Sequence, residues 1–508
     1  MSLATVFSRA ILGVEAIEVR VETHLSHGLP GFAIVGLPET AVKESKERVR
    51  SAILNSGLEF PQRRITVNLA PADLPKAGGR YDLAIALSIL VASGQIRDDV
   101  LPGLEILGEL ALDGSVRPVA GALPAVVAAR NAQRRVLVPK ANVRELAILH
   151  YEQAHCAESL AEVVNHAMHG TPLTRCDSEQ LTEMDSPVNP PHDLAYIKGQ
   201  AFAKRALQIA AAGGHNLLMV GPPGSGKTML ARSLLSLLPE LQESEALEVA
   251  TVASVVTIAG YRSIRQQRPF RTPHHSATAA ALVGGGSRAH PGEISLAHRG
   301  VLFLDELTEF KPGVLDALRE PLEAGEITIS RASYRVRYPA NFQLLAAMNP
   351  CPCGHAGDTR QACSCSPDRL RNYVGKLSGP LLDRLDLLIE VPALSPVELL
   401  EPELNPVDWN SVRQRIAECR QMQLQRSGKL NSDLGAEELL AVCSLPAARR
   451  SRLAQTLDKL GMSARTTHRI IKVARTIADY KQSQHVTDAD LHEAISYRRC
   501  ALLHSLTR

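Results

Sequence analysis

Eight residues constrain this chain more than any others: Gly221-Pro222-Pro223-Gly224-Ser225-Gly226-Lys227-Thr228. They match G-x-x-x-x-G-K-[ST] in full, with a short apolar run at 216–220 before them and a helical pattern at 229–238 after them. Strand, glycine turn and helix in that order make a phosphate cradle. The glycines let the backbone curl until successive amides face one anion, and the helix N-terminus adds positive potential there. Lys227 is placed to reach the β and γ phosphates of ATP, and the Thr228 hydroxyl to ligate Mg²⁺.

The run Val301-Leu302-Phe303-Leu304-Asp305-Glu306 supplies a partner for that loop. Four apolar residues predict a buried strand, and two carboxylates leave its C-terminal end, the edge where open α/β sheets bind ligands. Asp305 is expected to hold the Mg²⁺ through its water shell and Glu306 to act as base towards the attacking water. A third apolar run, 342–348, delivers Asn349-Pro350. Asn349 is either an amide that orients the water or a turn residue before proline.

The fold class this predicts is α/β, in several domains, since 508 residues suffice for two to four cores. Residues 1–170 mix β-rich runs (65–69, 136–139) with helical ones (42–55, 83–93), as a compact α/β domain does. A polar stretch with four prolines, 171–192, reads as a linker. A second α/β region covers 193–391, and 392–508 is helical beyond a proline-rich connector at 392–406. Thr487 is expected to cap the last helix. A formal charge of +3 with 21% charged residues is ordinary, so any nucleic-acid surface has to be local. The N-terminus lacks the pattern of a signal peptide, and the most apolar run, 83–92, is too short to cross a bilayer. A cytoplasmic protein with no membrane partner is expected, its nine cysteines reduced.

The three strand-end motifs together resemble AAA+ ATPases. In detail the chain resembles the magnesium-chelatase-related branch, and within it the ComM/YifB family. The strings that carry this are Arg268-Pro269-Phe270-Arg271-Thr272-Pro273-His274-His275, Gly292-Glu293-Ile294-Ser295-Leu296-Ala297-His298, Ser378-Gly379-Pro380-Leu381-Leu382-Asp383-Arg384-Leu385-Asp386 and Lys472-Val473-Ala474-Arg475-Thr476-Ile477-Ala478-Asp479. The likeness covers nearly the whole chain. It implies that Asn349 is the first sensor and that Arg384 is an arginine finger for a neighbouring subunit; a salt bridge to Asp383 or Asp386 is the alternative. Arg465 matches the second sensor on a helical lid, with Arg469 and Arg475 as rivals. The segment Ile197-Lys198-Gly199-Gln200 resembles one that packs near adenine. His274-His275 reads as structural, because no third metal ligand is evident.

Pro75-Lys76-Ala77-Gly78-Gly79-Arg80-Tyr81-Asp82-Leu83 and Pro118-Val119-Ala120-Gly121-Ala122-Leu123 look like the proteolytic domain of Lon proteases. That chemistry needs a serine and a lysine. The corresponding positions are Arg80 and Leu123, which implies a non-proteolytic, S5-like domain. Separately, Cys351, Cys353, Cys363 and Cys365 form C-x-C-x₉-C-x-C. Four thiolates suffice for structural Zn²⁺, although C-x₂-C is the commoner knuckle and a reduced, metal-free loop is the alternative.

Residues 327–330 and 334–338 predict a β-hairpin that carries Arg331, Tyr334, Arg335 and Arg337. In related ring ATPases a hairpin before the first sensor enters the central pore. Arginines there would follow phosphates and Tyr334 would stack on bases, while a charged hairpin edge is the blander reading. Residues 284–291 suit a second pore loop. The arginines of 412–427 are expected on a solvated helix face. By resemblance, the function is an ATP-driven homo-hexameric DNA translocase. Its task would be branch migration on single-stranded and branched DNA during natural transformation, beside recombination proteins. The alternatives are an ATPase subunit for metal insertion into a porphyrin and an ATP-switched scaffold.

Overall fold

Leu217–Val220 and Val301–Leu304 are apolar at every position, and Gln343–Met348 at all but the first, the signature of strands covered on both faces. The structure is a computed structural model that describes residues 3–97, 99, 101, 103–176, 193–256, 267–286, 289–331, 335–357, 361–395, 398, 407–459 and 462–498. In it these runs are neighbours in a five-stranded sheet. Its order is Phe270–Arg271, Val301–Leu304, Gln343–Met348, Leu217–Val220 and Leu387–Glu390, with every neighbouring pair parallel. All C-terminal strand ends therefore share one edge.

Alternate residues of a strand face opposite sides. Leu217, Met219, Phe303 and Leu345 join a core with helix Ala201–Gly213 and with Ile416, Ile470 and Ile477 of two C-terminal helices, Trp409–Ser427 and Ala464–Tyr480. Leu218, Val220, Leu302 and Leu344 join a second core, completed by Ile327, Val336 and Tyr338 from the hairpin Glu326–Ser330/Arg335–Pro339.

The N-terminal part has its own eight-stranded mixed sheet. Its order is Thr174–Arg175, Ala154–Ala157, Arg135–Pro139, Leu104–Ile106, Leu3–Leu12, Glu15–Ser26, Arg64–Ala70 and Gly31–Val35. Helix Asp82–Ala92 is buried along its whole length, which explains why all its residues but Asp82 and Ser88 are apolar. The expected linker differs at its start: Thr174–Arg175 pairs antiparallel with His155 and Cys156, so its backbone groups are satisfied by the sheet edge.

Two contacts seat this part on the rest of the chain. The Gly121 amide donates to the Ser254 carbonyl at 2.7 Å and the Leu123 amide to Ser254 Oγ at 3.3 Å, at the end of helix Glu243–Val256. Gly13, in the turn after Leu3–Leu12, lies so close to the hairpin that a Cβ there would stand 2.4 Å from Val336 Cγ1.

The arginines expected on a solvated face are mostly engaged. Arg413 pairs with Asp193 at 2.5 Å, Arg420 donates to the Ala211 carbonyl at 2.7 Å and Arg426 pairs with Asp479 at 2.7 Å; Arg415 is exposed. The helix packs against both Ala201–Gly213 and Ala464–Tyr480, so its guanidinium groups reach carbonyls and acids that lie far away in sequence. Thr487 caps helix Asp488–Ser496, accepting from the Asp490 amide.

A buried polar knot ties the helices to the sheet. Asp386 accepts from Arg469 Nη1 at 2.6 Å, from the Asn216 amide at 3.2 Å and contacts His215 Nδ1 at 3.2 Å. His215 Nε2 meets Thr476 Oγ1 at 2.8 Å. Burial alone would raise the Asp386 carboxyl, but His215 and Arg469 carry it below the ordinary carboxylate range. Such a depressed acid stabilises fully above its unfolded pKa of about 4, and the contribution is lost as pH falls below that value. Asp386→Asn is expected to cost about 3 kcal/mol of unfolding free energy in urea titrations at neutral pH, because it leaves the Arg469 charge unpaired. Its stability should also fall less steeply than that of the parent chain below about pH 4.

Candidate functional site

The loop between Leu217–Val220 and helix Lys227–Ser233 turns through Gly224 and Gly226, at φ +76° and +88°. These are left-handed conformations that glycine adopts without strain. Gly221 has a different reason to be glycine: a Cβ there would meet the Val391 carbonyl at 2.1 Å. Pro223 and Gly224 are exposed at the crest, Pro222 is half-buried, and Ser225 is buried.

The Lys227 ammonium is held by the loop itself. It donates to the carbonyls of Gly221 and Pro222 at 2.7 and 2.8 Å, and contacts Ser225 Oγ at 3.4 Å and Asn349 Oδ1 at 3.3 Å. Burial lowers its pKa, opposed by the charge of Asp305. The Thr228 hydroxyl, on the first turn of the helix, donates to Asp305 Oδ2 at 2.7 Å. Thr228 is exposed and Asp305 half-buried. These contacts join three strand ends: the loop strand, the Asp305 strand and the Asn349 strand. A cradle with free curvature, an ammonium, and a hydroxyl–carboxylate pair fit a magnesium–nucleotide complex chemically.

Glu306 occupies a left-handed backbone position, φ +52°, that costs a non-glycine residue about 1–2 kcal/mol. Its amide donates to Asp305 Oδ1 at 2.9 Å, and its side chain is 54% exposed and contacts His275 Nδ1 at 3.1 Å. The His274 and His275 rings lie 4.1 Å apart. His275 was not a site residue on sequence grounds. Its contact with Glu306 exists because strand Phe270–Arg271 pairs with Val301–Leu304, a pairing of two edges that no local motif announces.

The remaining expected residues are dispersed. Arg384 is nearly buried, its guanidinium paired with Glu323 and donating to the Pro380 carbonyl at 2.6 Å, with Nε buried and unpartnered among the described residues. Its acid is therefore Glu323, whereas Asp386 belongs to Arg469. Arg465 is 72% exposed and reaches Asp383 only at 3.9 Å; Arg469 sits on Asp386, and Arg475 is buried against Asp479. Gln200 touches the loop, its Nε2 donating to the Ser225 carbonyl at 3.4 Å and to the Pro392 carbonyl at 2.7 Å.

On the hairpin, Arg331, Arg335 and Arg337 are exposed, while Val336 and Tyr338 point into the core. Tyr334 lies outside the described residues. A Cβ on Gly285 would come within 3.5 Å of Arg331 Nη2, so these two residues lie side by side. The four cysteines of the 351–365 segment converge, all four sulfurs within 4.8 Å of one another. The His355 amide, then the Cys351 thiol, bring Cys353 down to about 5, while burial pushes Cys351 up to about 12. Among the described residues no helix is long and apolar enough to cross a membrane.

An all-parallel sheet with a phosphate loop and paired acids on its C-terminal edge defines a P-loop protein of mixed α/β fold. Residues 193–399 match the family described as magnesium chelatase, subunit ChlI. Residues 21–142 match the family described as subunit ChlI of Mg-chelatase, and 408–498 the ChlI C-terminal family. The chain is 49% identical to competence protein ComM of Haemophilus influenzae, over 98% of each chain. It is 48% identical to YifB of Escherichia coli K12, over 98% of this chain and 97% of that one. The 38 kDa magnesium-chelatase subunit of Rhodobacter capsulatus is 28% identical over 41% of this chain and 57% of its own. The chain belongs to the ComM/YifB family of magnesium-chelatase-related AAA+ ATPases.

Removing the ammonium leaves the cradle without its only buried cation among the described residues of the loop. Lys227→Ala is expected to weaken ATP binding by about a hundredfold or more, as seen in titration with a fluorescent analogue, while the circular dichroism spectrum stays that of the parent chain.

Proposed function

We propose that this chain is an ATP-driven DNA translocase that works as a homo-hexamer and promotes branch migration of single-stranded DNA joined to a duplex. The observation that carries this reading is the exposed row of Arg331, Arg335 and Arg337 on one hairpin, beside a glycine loop, on a protein with a complete phosphate cradle. Three guanidinium groups on one hairpin suit the phosphates of a strand passing along them. The relative named competence protein ComM supports a place in the uptake or recombination of DNA. The setting this reading needs is the cytoplasm.

Bound Mg–ATP supplies the phosphoanhydride bond and the metal that offsets its charge. Residues 221–228 hold the phosphates through loop amides and Lys227, and Thr228 and Asp305 hold the metal. Glu306 takes a proton from the water that attacks the γ-phosphorus, as the bond to the ADP oxygen breaks. Asn349 orients that water from the next strand end. To do this Glu306 turns away from His275.

Arg384 acts on the neighbouring subunit's nucleotide, which requires it to leave Glu323. Arg465 serves the nucleotide from the helical lid formed by residues 392–508. The N-terminal region, 1–170, is Lon-like in fold without protease chemistry, Arg80 and Leu123 standing where serine and lysine are needed. Residues 171–192 link it to the motor core at 193–391.

The deciding experiment is strand displacement by the purified chain on forked and three-strand DNA. ATP-dependent displacement supports a motor; DNA-stimulated hydrolysis without displacement overturns it in favour of a switch. Glu306→Gln is expected to bind ATP with near-parent affinity and turn it over at least about a hundredfold more slowly. Arg384→Ala should lose about a thousandfold in turnover, and mixing it with Lys227→Ala chains should recover part of the rate, since only a mixed interface holds both groups. Replacing Arg331, Arg335 and Arg337 together by Ala should weaken single-stranded DNA binding. The plot of log affinity against log salt should become shallower by about 2.

A further inference from the structure

The strand that ends at Asn349 runs straight into the cysteine segment. Cys351 is fully buried, and its sulfur stands 3.3 Å from Cys353 and 3.7 Å from Cys363; Cys353 and Cys363 are 3.6 Å apart. Cys365 completes the group within the same 4.8 Å. A disulfide would bring two sulfurs to about 2.05 Å. A tetrahedral Zn²⁺ about 2.3 Å from each sulfur would instead set them about 3.8 Å apart. The spacings among Cys351, Cys353 and Cys363 lie near the second geometry and far from the first. The Ala356 amide donates to Cys351 Sγ at 3.2 Å, the kind of support that thiolate ligands receive from a tight turn. The segment itself offers little core: Pro352, Gly357 and residues 361–364 are exposed.

This cluster is built onto the phosphate loop. The turn at Gly354, φ +86°, lies so close that a Cβ there would stand 2.7 Å from Pro223 Cδ. Helix Pro367–Val374 begins two residues after Cys365, and its Tyr373 hydroxyl donates to the Asn349 carbonyl at 3.2 Å. Asn349 in turn contacts Lys227. The four sulfurs thus gather three supports of the nucleotide site: the strand end at Asn349, the turn against Pro223, and the helix that carries Tyr373.

We infer that Cys351, Cys353, Cys363 and Cys365 bind one structural Zn²⁺, and that this zinc braces Pro223 and Asn349 so that nucleotide affinity depends on zinc loading. The zinc half stands on the sulfur geometry alone; the coupling half rests on the reading of residues 221–228 as the ATP site. Zinc takes no part in hydrolysis, because its four positions are filled by sulfur.

The full-length chain, purified without chelator, is expected to hold about one zinc per chain by elemental analysis. The double variant Cys353→Ser/Cys363→Ser should hold almost none. Cobalt in place of zinc should show the thiolate-to-metal absorption of a tetrahedral site. Stripping zinc with a mercurial and EDTA should weaken binding of a fluorescent ATP analogue by about tenfold or more, and zinc added back with a thiol reductant should restore it. Should the stripped chain unfold, Gly354→Ala tests the brace with all four sulfurs in place. It is expected to keep its zinc and lose nucleotide affinity.

Zinc absent from a folded chain whose nine thiols are all reduced would overturn the inference. Unchanged ATP affinity in a stripped, folded chain, or in Gly354→Ala, would overturn the coupling. A zinc-loaded parent chain that binds no nucleotide would instead count against the ATP site, and the metal content tells these cases apart.

Discussion

The hydrogen bond between Thr228 and Asp305 depends on everything around it, and the chemistry depends on it. The two residues are far apart in sequence and stand on separate elements, a helix start and a strand end. They meet at 2.7 Å only because Val301–Leu304 and Leu217–Val220 flank Gln343–Met348 in parallel register. Parallel pairing puts every strand's C-terminus on the same edge. A helix start, two acids and an amide then share a few ångströms. Such strands need cover on both faces, which explains why this chain surrounds a short sheet with a helical C-terminal region on one side and a hairpin on the other.

The same buried groups that hold the sheet also hold the groups at its rim. Asn216 immediately precedes the loop strand, and its side chain donates to the Arg384 carbonyl at 3.0 Å and accepts from the Leu344 amide at 2.8 Å. Arg469, on the helix Ala464–Tyr480, reaches both Asp386 and the Arg384 carbonyl. A shift of that helix is therefore felt at Arg384 through one layer of hydrogen bonds. Glu323, the partner of the Arg384 side chain, lies on the short helix Arg319–Ala324 that leads directly into the hairpin strand Glu326–Ser330. The hairpin, the C-terminal helices and Arg384 form one mechanical neighbourhood.

The N-terminal sheet presses on this neighbourhood from the other side. Gly13 leaves no space for a side chain against Val336, and Ser254 takes two amides from the start of helix Ala122–Asn131. A part of the chain with its own core thus rests on the hairpin at Val336. The turn at Gly354 in the cysteine segment lies against Pro223 of the loop.

Motif residues whose neighbours in space are also neighbours in sequence could be read directly: the glycines of 221–226, Lys227 and Thr228, and the apolar runs that end in Asp305-Glu306 and Asn349. Their chemistry is local, and a strand–turn–helix order admits few alternatives. The hairpin, the buried helix Asp82–Ala92 and the Thr487 cap were legible for the same reason. What the sequence left open concerned partners across long loops. Sequence offered Arg384 two acids, Asp383 and Asp386, and the fold chose a third, Glu323. His275 gained its contact with Glu306 only when strand Phe270–Arg271 came beside Val301–Leu304. Arg413, Arg420 and Arg426 looked solvated until the fold set Asp193, the Ala211 carbonyl and Asp479 against them. Sequence patterns determined which surfaces had to be buried and which residues could handle phosphate, because those depend on side-chain chemistry and period. Only the tertiary structure decided which charge meets which, because a guanidinium pairs with whatever packing brings within about 3 Å.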